Sequence, residues 1–112
     1  MRKTDKKIDK QLRLALTDVC ETALKEINGF LWLTHLVNYG NFPESLKVIC
    51  VFDTNESIRQ FIKSNSKAYL SDIVRSKLDE LNIKLKKIDN HLFFDSEEAC
   101  NSESNGVWAS RL

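Results

Sequence analysis

The sequence predicts an α+β fold in which a long N-terminal helix and a second helix pack on a four-stranded antiparallel sheet, in the order α-β-β-α-α-β-β-α. Three observations support it: helical spacing of apolar residues over 4–27, the same spacing over 67–81, and two apolar segments, 30–38 and 46–52, joined by a short loop. With 112 residues, 42% hydrophobic and 29% charged, the chain has the size and composition of one globular domain, residues 1–112.

The first helix is predicted by an apolar stripe. Its members recur every three or four residues and therefore share one helix face. Thr4 or Asp5 can cap its start, and Asn28 with Gly29 can end it. The stripe consists of Ile8, Leu12, Ala15, Leu16, Val19, Ala23 and Ile27.

The two apolar segments that follow predict strands covered on both faces. Large side chains occupy both alternating sets of 30–38 and of 46–52, whereas a strand that meets water on one side alternates with polar residues. The loop between them contains Pro43 and predicts a hairpin.

The second half predicts two helices and another hairpin. Residues 53–56 start a short helix that breaks near 64–66, and Ser66 can cap the helix over 67–81. IKLKKI and HLFF predict strands three and four, with a tight turn at Asp89 and Asn90. A short helix follows, and Trp108 is expected to hold the tail.

A short echo links the two halves. VFDTNE and FFDSEE each combine an apolar strand end with an acidic helix start. The echo fits two repeated α-β-β units, and it fits equally two strands that need the same exit into a helix.

Charge is nearly balanced but unevenly distributed. The 17 Lys and Arg against 16 Asp and Glu give a net charge of +1, whereas a dedicated polyanion binder usually has a larger excess. A basic face on the first helix, aligned at steps of three and four, can nevertheless track phosphates, or it is simply solvated. The face consists of Lys3, Lys6, Lys10 and Arg13. A second basic cluster, which consists of Lys84, Lys86 and Lys87, lies in the predicted third strand.

Two aspartates follow apolar strands and allow two interpretations. Asp53 and Asp95, each near further acids, could hold a divalent cation and support a small metal-assisted enzyme. The favoured interpretation is helix capping, because Asp-Thr or Asp-Ser before Glu supplies acceptors for free N–H groups at a helix start. We therefore predict no metal, no cofactor and no enzymatic activity.

Cysteine and histidine give little support for a site. Three cysteines without CxxC spacing argue against a disulfide framework or a zinc ribbon. His35 is predicted to face Cys50 across the first hairpin, but strands so rich in apolar residues favour buried or interface histidines, His91 included, over a Cys–His nucleophile pair.

The surplus of apolar side chains on both sheet faces predicts self-association. Either the helices divide between the two faces or a second subunit covers one face. The leading interpretation is a non-enzymatic protein-interaction module that forms a homodimer, with Trp32 or Trp108 as interface anchor. The alternative is a nucleic-acid-binding or regulatory protein that uses the basic face. No membrane segment is predicted and a cytoplasmic location is expected.

MRKTDKKID, WLTHLVNY and VFDTN together resemble a group of small bacterial proteins, some of them labelled Fis-type transcriptional regulators. The resemblance covers most of the chain and includes no functional motif. Fis proteins end in a helix-turn-helix, whereas this chain ends in a predicted strand, a short acidic helix and VWASRL, so no functional residues are carried across.

Overall fold

The computed structural model describes residues 2–112 as four helices and three strands. The helices are α1 (Lys3–Glu26), α2 (Asn55–Lys63), α3 (Ser66–Glu80) and α4 (Glu97–Ser104). The strands are β1 (Phe30–Leu36), β2 (Lys47–Phe52) and β3 (Leu92–Ser96). Short 3₁₀ turns lie at Tyr39–Asn41, Ile88–His91 and Trp108–Ser110. Within residues 2–112, no helix combines the length and apolar character needed to cross a membrane.

The sheet is mixed, with the strand order β1-β2-β3. β1 pairs with β2 antiparallel, as the hairpin prediction required, whereas β3 pairs with β2 parallel. The predicted four-stranded antiparallel sheet is therefore wrong. The chain returns to the sheet through α2 and α3, and this crossover delivers β3 to the end at which β2 begins, so that the two strands run the same way.

The predicted third strand, 83–88, does not form. Alternation holds over residues 83–86 and breaks at Lys87, because Ile83 and Ile88 are both buried although they are five positions apart, and the lysines between them are exposed. The segment adds its apolar side chains to the core but pairs with no strand, since the predicted hairpin with 91–94 is absent. Asp89 and Asn90 accordingly lie in a 3₁₀ turn that leads directly into β3.

One side of the sheet, the core face, carries the main hydrophobic cluster. α1, α2 and α3 pack on it, and the predicted apolar stripes of α1 and α3 supply the contacts. Gly29, with φ +82°, makes the turn between α1 and β1, and its carbonyl accepts a hydrogen bond from the Asp53 N–H at 2.9 Å. Fully buried members of the cluster include Leu12, Val19, Val48, Cys50, Phe52, Leu70 and Val74.

The opposite side, the outer face, is arranged in three rows across the strands. Strand register places Trp32 beside Val51 and Val51 beside Asp95, and we name these three residues the covered row. The next rows hold Thr34, Ile49 and Phe93, then Leu36 and Lys47. We name Thr34, Leu36, Ile49 and Phe93 the sheet patch. Only α4 and the tail reach the outer face, and they cover the first row.

Candidate interaction surfaces

The two aspartates that follow the strands belong to helix caps. Thr54 Oγ1 accepts a hydrogen bond from the Ser57 N–H at 3.1 Å, and Ser96 Oγ accepts one from the Ala99 N–H at 2.9 Å. Asp53 and Asp95 each accept a bond from the N–H of the following residue, at 2.7 and 2.9 Å. The capping prediction is confirmed, and the echo in the sequence marks two parallel strands that leave the sheet into capped helices.

The acidic side chains where β2 and β3 end accept hydrogen bonds from the starts of the helices. Hydrogen bonds from Ser57 and Thr54 lower the pKa of Asp53. Glu98 Oε1 accepts the Asn55 N–H at 2.8 Å, which ties the start of α2 to α4. Over residues 2–112, no group of three or more His, Cys, Asp or Glu side chains is arranged to hold a metal ion.

An aromatic clamp closes the covered row. The Trp32 and Trp108 rings meet edge to face, with centroids 5.0 Å apart, and both indole N–H groups donate to Glu97, at 2.9 and 3.2 Å. Trp108 holds the tail as predicted. Both rings remain partly exposed at the border of the sheet patch, and their role as interface anchors stays a prediction.

A bidentate ion pair locks the same tail. Arg111 Nε and Nη2 each donate to one oxygen of Asp95 at 2.8 Å, and the two side chains are 19% and 22% exposed. Partial burial acts to raise the pKa of Asp95, but the bonds from Arg111 prevail and hold it below the ordinary value. The sequence did not predict the Asp95–Arg111 pair or the role of Glu97 between the two tryptophans. Arg111 could have indicated the pair, because it is the only basic residue in the acidic segment 92–112.

The sheet patch exposes two large apolar side chains. Leu36 and Phe93 are 40% and 42% exposed, Ile49 between them is 8% exposed, and the Lys47 ammonium lies 5.6 Å from the centre of the Phe93 ring. β1 beside it is an edge strand. Between residues 2 and 112, β2 is the only strand that pairs with β1, and the only other backbone hydrogen bond of β1 runs from the Phe30 N–H to the Ile27 carbonyl. β1 contains neither a lysine, an arginine or an acidic residue nor a proline.

A polar cluster joins α1 to the end of β1. Asp9 Oδ1 accepts hydrogen bonds from Tyr39 Oη at 2.6 Å and from His35 Nε2 at 3.2 Å, and Asp9 Oδ2 pairs with Arg13 at 3.2 Å. The bond from Tyr39 is the main cause that lowers the pKa of Asp9, and burial with this same bond raises the pKa of Tyr39. Only the Asp9–Arg13 contact was visible in the sequence, because the other partners come from distant elements.

The predicted pairing of His35 with Cys50 is wrong. The register places His35 opposite Val48 and places Leu33 opposite Cys50, two positions away from the predicted pairing, and the loop between the strands sets this register. Cys50 is fully buried, and burial raises the pKa of its thiol to about 12. Burial also raises the pKa of Cys100. Neither thiol has the exposed, acidic character of a nucleophile.

The basic face of α1 lies at the surface. Lys3, Lys6 and Lys10 are exposed and form no ion pair with any described residue, whereas Arg13 pairs with Asp9. Three free ammonium groups on one helix face therefore remain for an anionic partner.

The chain matches no known protein-family model, no curated protein and no solved structure.

Proposed function

We propose that this chain is a non-enzymatic protein-interaction module that forms a homodimer through the sheet patch and the free edge of β1. The observation that carries the proposal is the coincidence of an uncovered apolar patch with an unprotected edge strand. Edge strands usually carry lysine, proline or other charges that prevent pairing, and β1 has none of these. A cytoplasmic location is part of the proposal.

A second copy suits this surface because an edge strand can pair with itself. Two β1 strands related by a two-fold axis run antiparallel, so the same groups serve both partners. Such pairing joins two three-stranded sheets into one of six strands and brings Leu36 of each copy toward the joint. A stable interface of this kind buries more than about 1,000 Å² in total, with an apolar centre.

Sedimentation equilibrium at micromolar concentration tests the proposal. We expect the native chain to sediment at twice its mass of 13.0 kDa. Leu36→Lys places a charge in the patch and should give the monomer. Leu24→Lys is the matched control, because Leu24 lies on α1, is 52% exposed and belongs to neither β1 nor the sheet patch; this variant should remain dimeric.

A native chain that sediments as a single 13.0 kDa species would overturn the proposal. A dimer that both lysine variants leave intact would place the interface elsewhere and would equally reject the sheet patch. Circular dichroism of each variant establishes that the monomer is folded.

A second candidate function is nucleic-acid binding through the basic face of α1. It is favoured by the exposed lysines without acidic partners, Lys3, Lys6 and Lys10. Such contacts bind the phosphate backbone without reading the sequence, and their strength falls steeply with salt.

Retention on a DNA column at ~50 mM salt tests this candidate, because phosphate-driven affinity is high at low salt. The native chain should be retained, and Lys6→Glu combined with Lys10→Glu should abolish retention. A native chain that flows through at this salt concentration would reject the candidate.

A further inference from the structure

A cleft of about 790 Å³ lies between the loop before β2 and the segment before β3. It is at the end of the sheet where β2 and β3 begin. Its volume falls within the range of small-molecule sites, which is about 300–1,000 Å³. It is lined by Pro43, Glu44, Lys84, Leu85, Lys86, Lys87, Asn90 and His91.

The walls of the cleft carry an excess of positive charge. Its lysines are opposed by one acidic lining residue, Glu44. The Lys84 ammonium is 3.2 Å from Asp79 Oδ1, whereas Lys86 and Lys87 are exposed and have no ion-pair partner anywhere in residues 2–112. Because residues 83–88 do not form a strand, Lys84, Lys86 and Lys87 lie on an irregular segment that lines the cleft.

His91 gives the cleft a fixed hydrogen-bonding group. Its Nδ1 lies 2.7 Å from the Leu46 carbonyl oxygen, and a carbonyl accepts only, so Nδ1 carries a proton and donates. Nε2 has no partner in the described chain. Because no buried side-chain nitrogen or oxygen there lacks a partner, Nε2 reaches solvent. When the ring is neutral, Nε2 is its acceptor and can take a hydrogen bond from a P–OH group.

We propose that this cleft binds a phosphate-bearing anion. Lys86 and Lys87 supply charge, His91 Nε2 and the Asn90 side chain supply hydrogen-bonding groups, and Pro43 with Leu85 supplies an apolar wall. The phosphates can belong to a nucleotide-sized small molecule or to a nucleic-acid backbone, and the experiment distinguishes these two sources. This site is separate from the sheet patch, so neither proposal depends on the other.

The test uses two probes, inorganic tripolyphosphate measured by calorimetry and a fluorescent oligothymidylate measured by anisotropy. At about 150 mM salt, charges more than about 8 Å from the ligand are largely screened. Lys86→Gln with Lys87→Gln should weaken binding about tenfold or more. Lys25→Gln with Lys63→Gln makes the same change in net charge at exposed lysines that line neither the cleft nor the basic face of α1, and it should alter affinity less than about twofold. His91→Gln, made alone, should weaken binding without changing net charge.

Saturable binding of tripolyphosphate supports the proposal with a small-molecule source. Saturable binding of the oligonucleotide alone, with the same order of variants, supports it with a nucleic-acid source. The proposal is overturned if neither probe binds saturably at millimolar concentration, if the two lysine pairs lose equal affinity, or if His91→Gln has no effect. Unchanged circular dichroism confirms that the variants are folded.

Discussion

The covered row and the sheet patch lie side by side on one face of the same sheet, yet they are treated differently. On the central strand Val51 of the covered row is fully buried and Ile49 of the next row is 8% exposed, whereas Phe93 beside Ile49 on the edge strand is 42% exposed. Each row thus places an apolar side chain at its centre. The difference is made by α4 and the residues that follow it, which are long enough to cover one row and no more. A strand pattern thus predicts that a face needs cover, but not what supplies it.

Removal of the Trp108 ring, which covers the first row, should lower the free energy of unfolding most. Trp108→Ala should lower the free energy of unfolding by about 2 kcal/mol, because the ring packs on Trp32 and leaves an apolar gap when removed. Phe93→Ala in the sheet patch is the control and should cost about 0.5 kcal/mol. Urea unfolding, at a dilution where both variants are monomeric, measures the two values. Equal losses would show that the tail does not protect the sheet.

The start of α4 offers a second way to loosen the cover. Ser96→Ala should cost about 1.5 kcal/mol, because Ser96 is fully buried, caps α4 and also donates to Asn55. Thr54→Ala, which removes the cap of α2, should cost about 1 kcal/mol. Ser102→Ala, on the exposed side of α4, should change the urea midpoint little. A smaller effect at Ser96 than at Thr54 would contradict this order.

The end of β1 beside the sheet patch is held by Asp9 instead of the tail, and this makes it sensitive to acid. The pKa of Asp9 is lowered in the folded chain, so its contribution is complete above the ordinary aspartate pKa of about 3.9 and is lost as pH falls through the folded value. Asp9→Asn should cost about 1 kcal/mol at neutral pH.

Urea midpoints measured from pH 5 downward for both chains isolate this term from the other carboxylates. The native chain should lose stability toward acid faster than Asp9→Asn, so that the two curves converge. Parallel curves over the whole range would show that Asp9 does not hold the end of β1.

The smallest effect is expected where the surface is least covered. Leu36→Lys should change the stability of the monomer by no more than about 0.5 kcal/mol, because Leu36 is 40% exposed. A loss of about 2 kcal/mol in the monomer would mean that the sheet patch is part of the core, and the distinction between the two rows would disappear.

Local features of the fold followed from the sequence. The apolar stripe over 4–27 predicted α1, which lies at Lys3–Glu26. The Asp-Thr pair that ends in Thr54 and the Asp-Ser pair that ends in Ser96 predicted both helix caps. These signals involve residues within a few positions of each other, where spacing alone decides which groups meet.

Features that depend on contacts between residues far apart in the chain could not be predicted from the sequence. The direction of β3 is set by the crossover through α2 and α3, and alternation in 83–88 does not reveal whether a pairing strand exists. Trp32 and Glu97 are 65 positions apart, and Asp9 and Tyr39 are 30 apart. No local pattern marks such contacts, so the clamp and the Asp9 cluster were found only in the structure.

The parallel pairing of β3 also fixes when the sheet can close during synthesis. β2 is the central strand, and one of its edges stays open until residues 92–96 have been made and have left the ribosome. Trp32 and Val51 are covered later still, because Glu97, Trp108 and Arg111 are synthesised after residues 92–96. The nascent chain therefore carries a half-finished sheet with an open edge and a bare apolar row, the kind of intermediate that chaperones recognise and that aggregates when crowded.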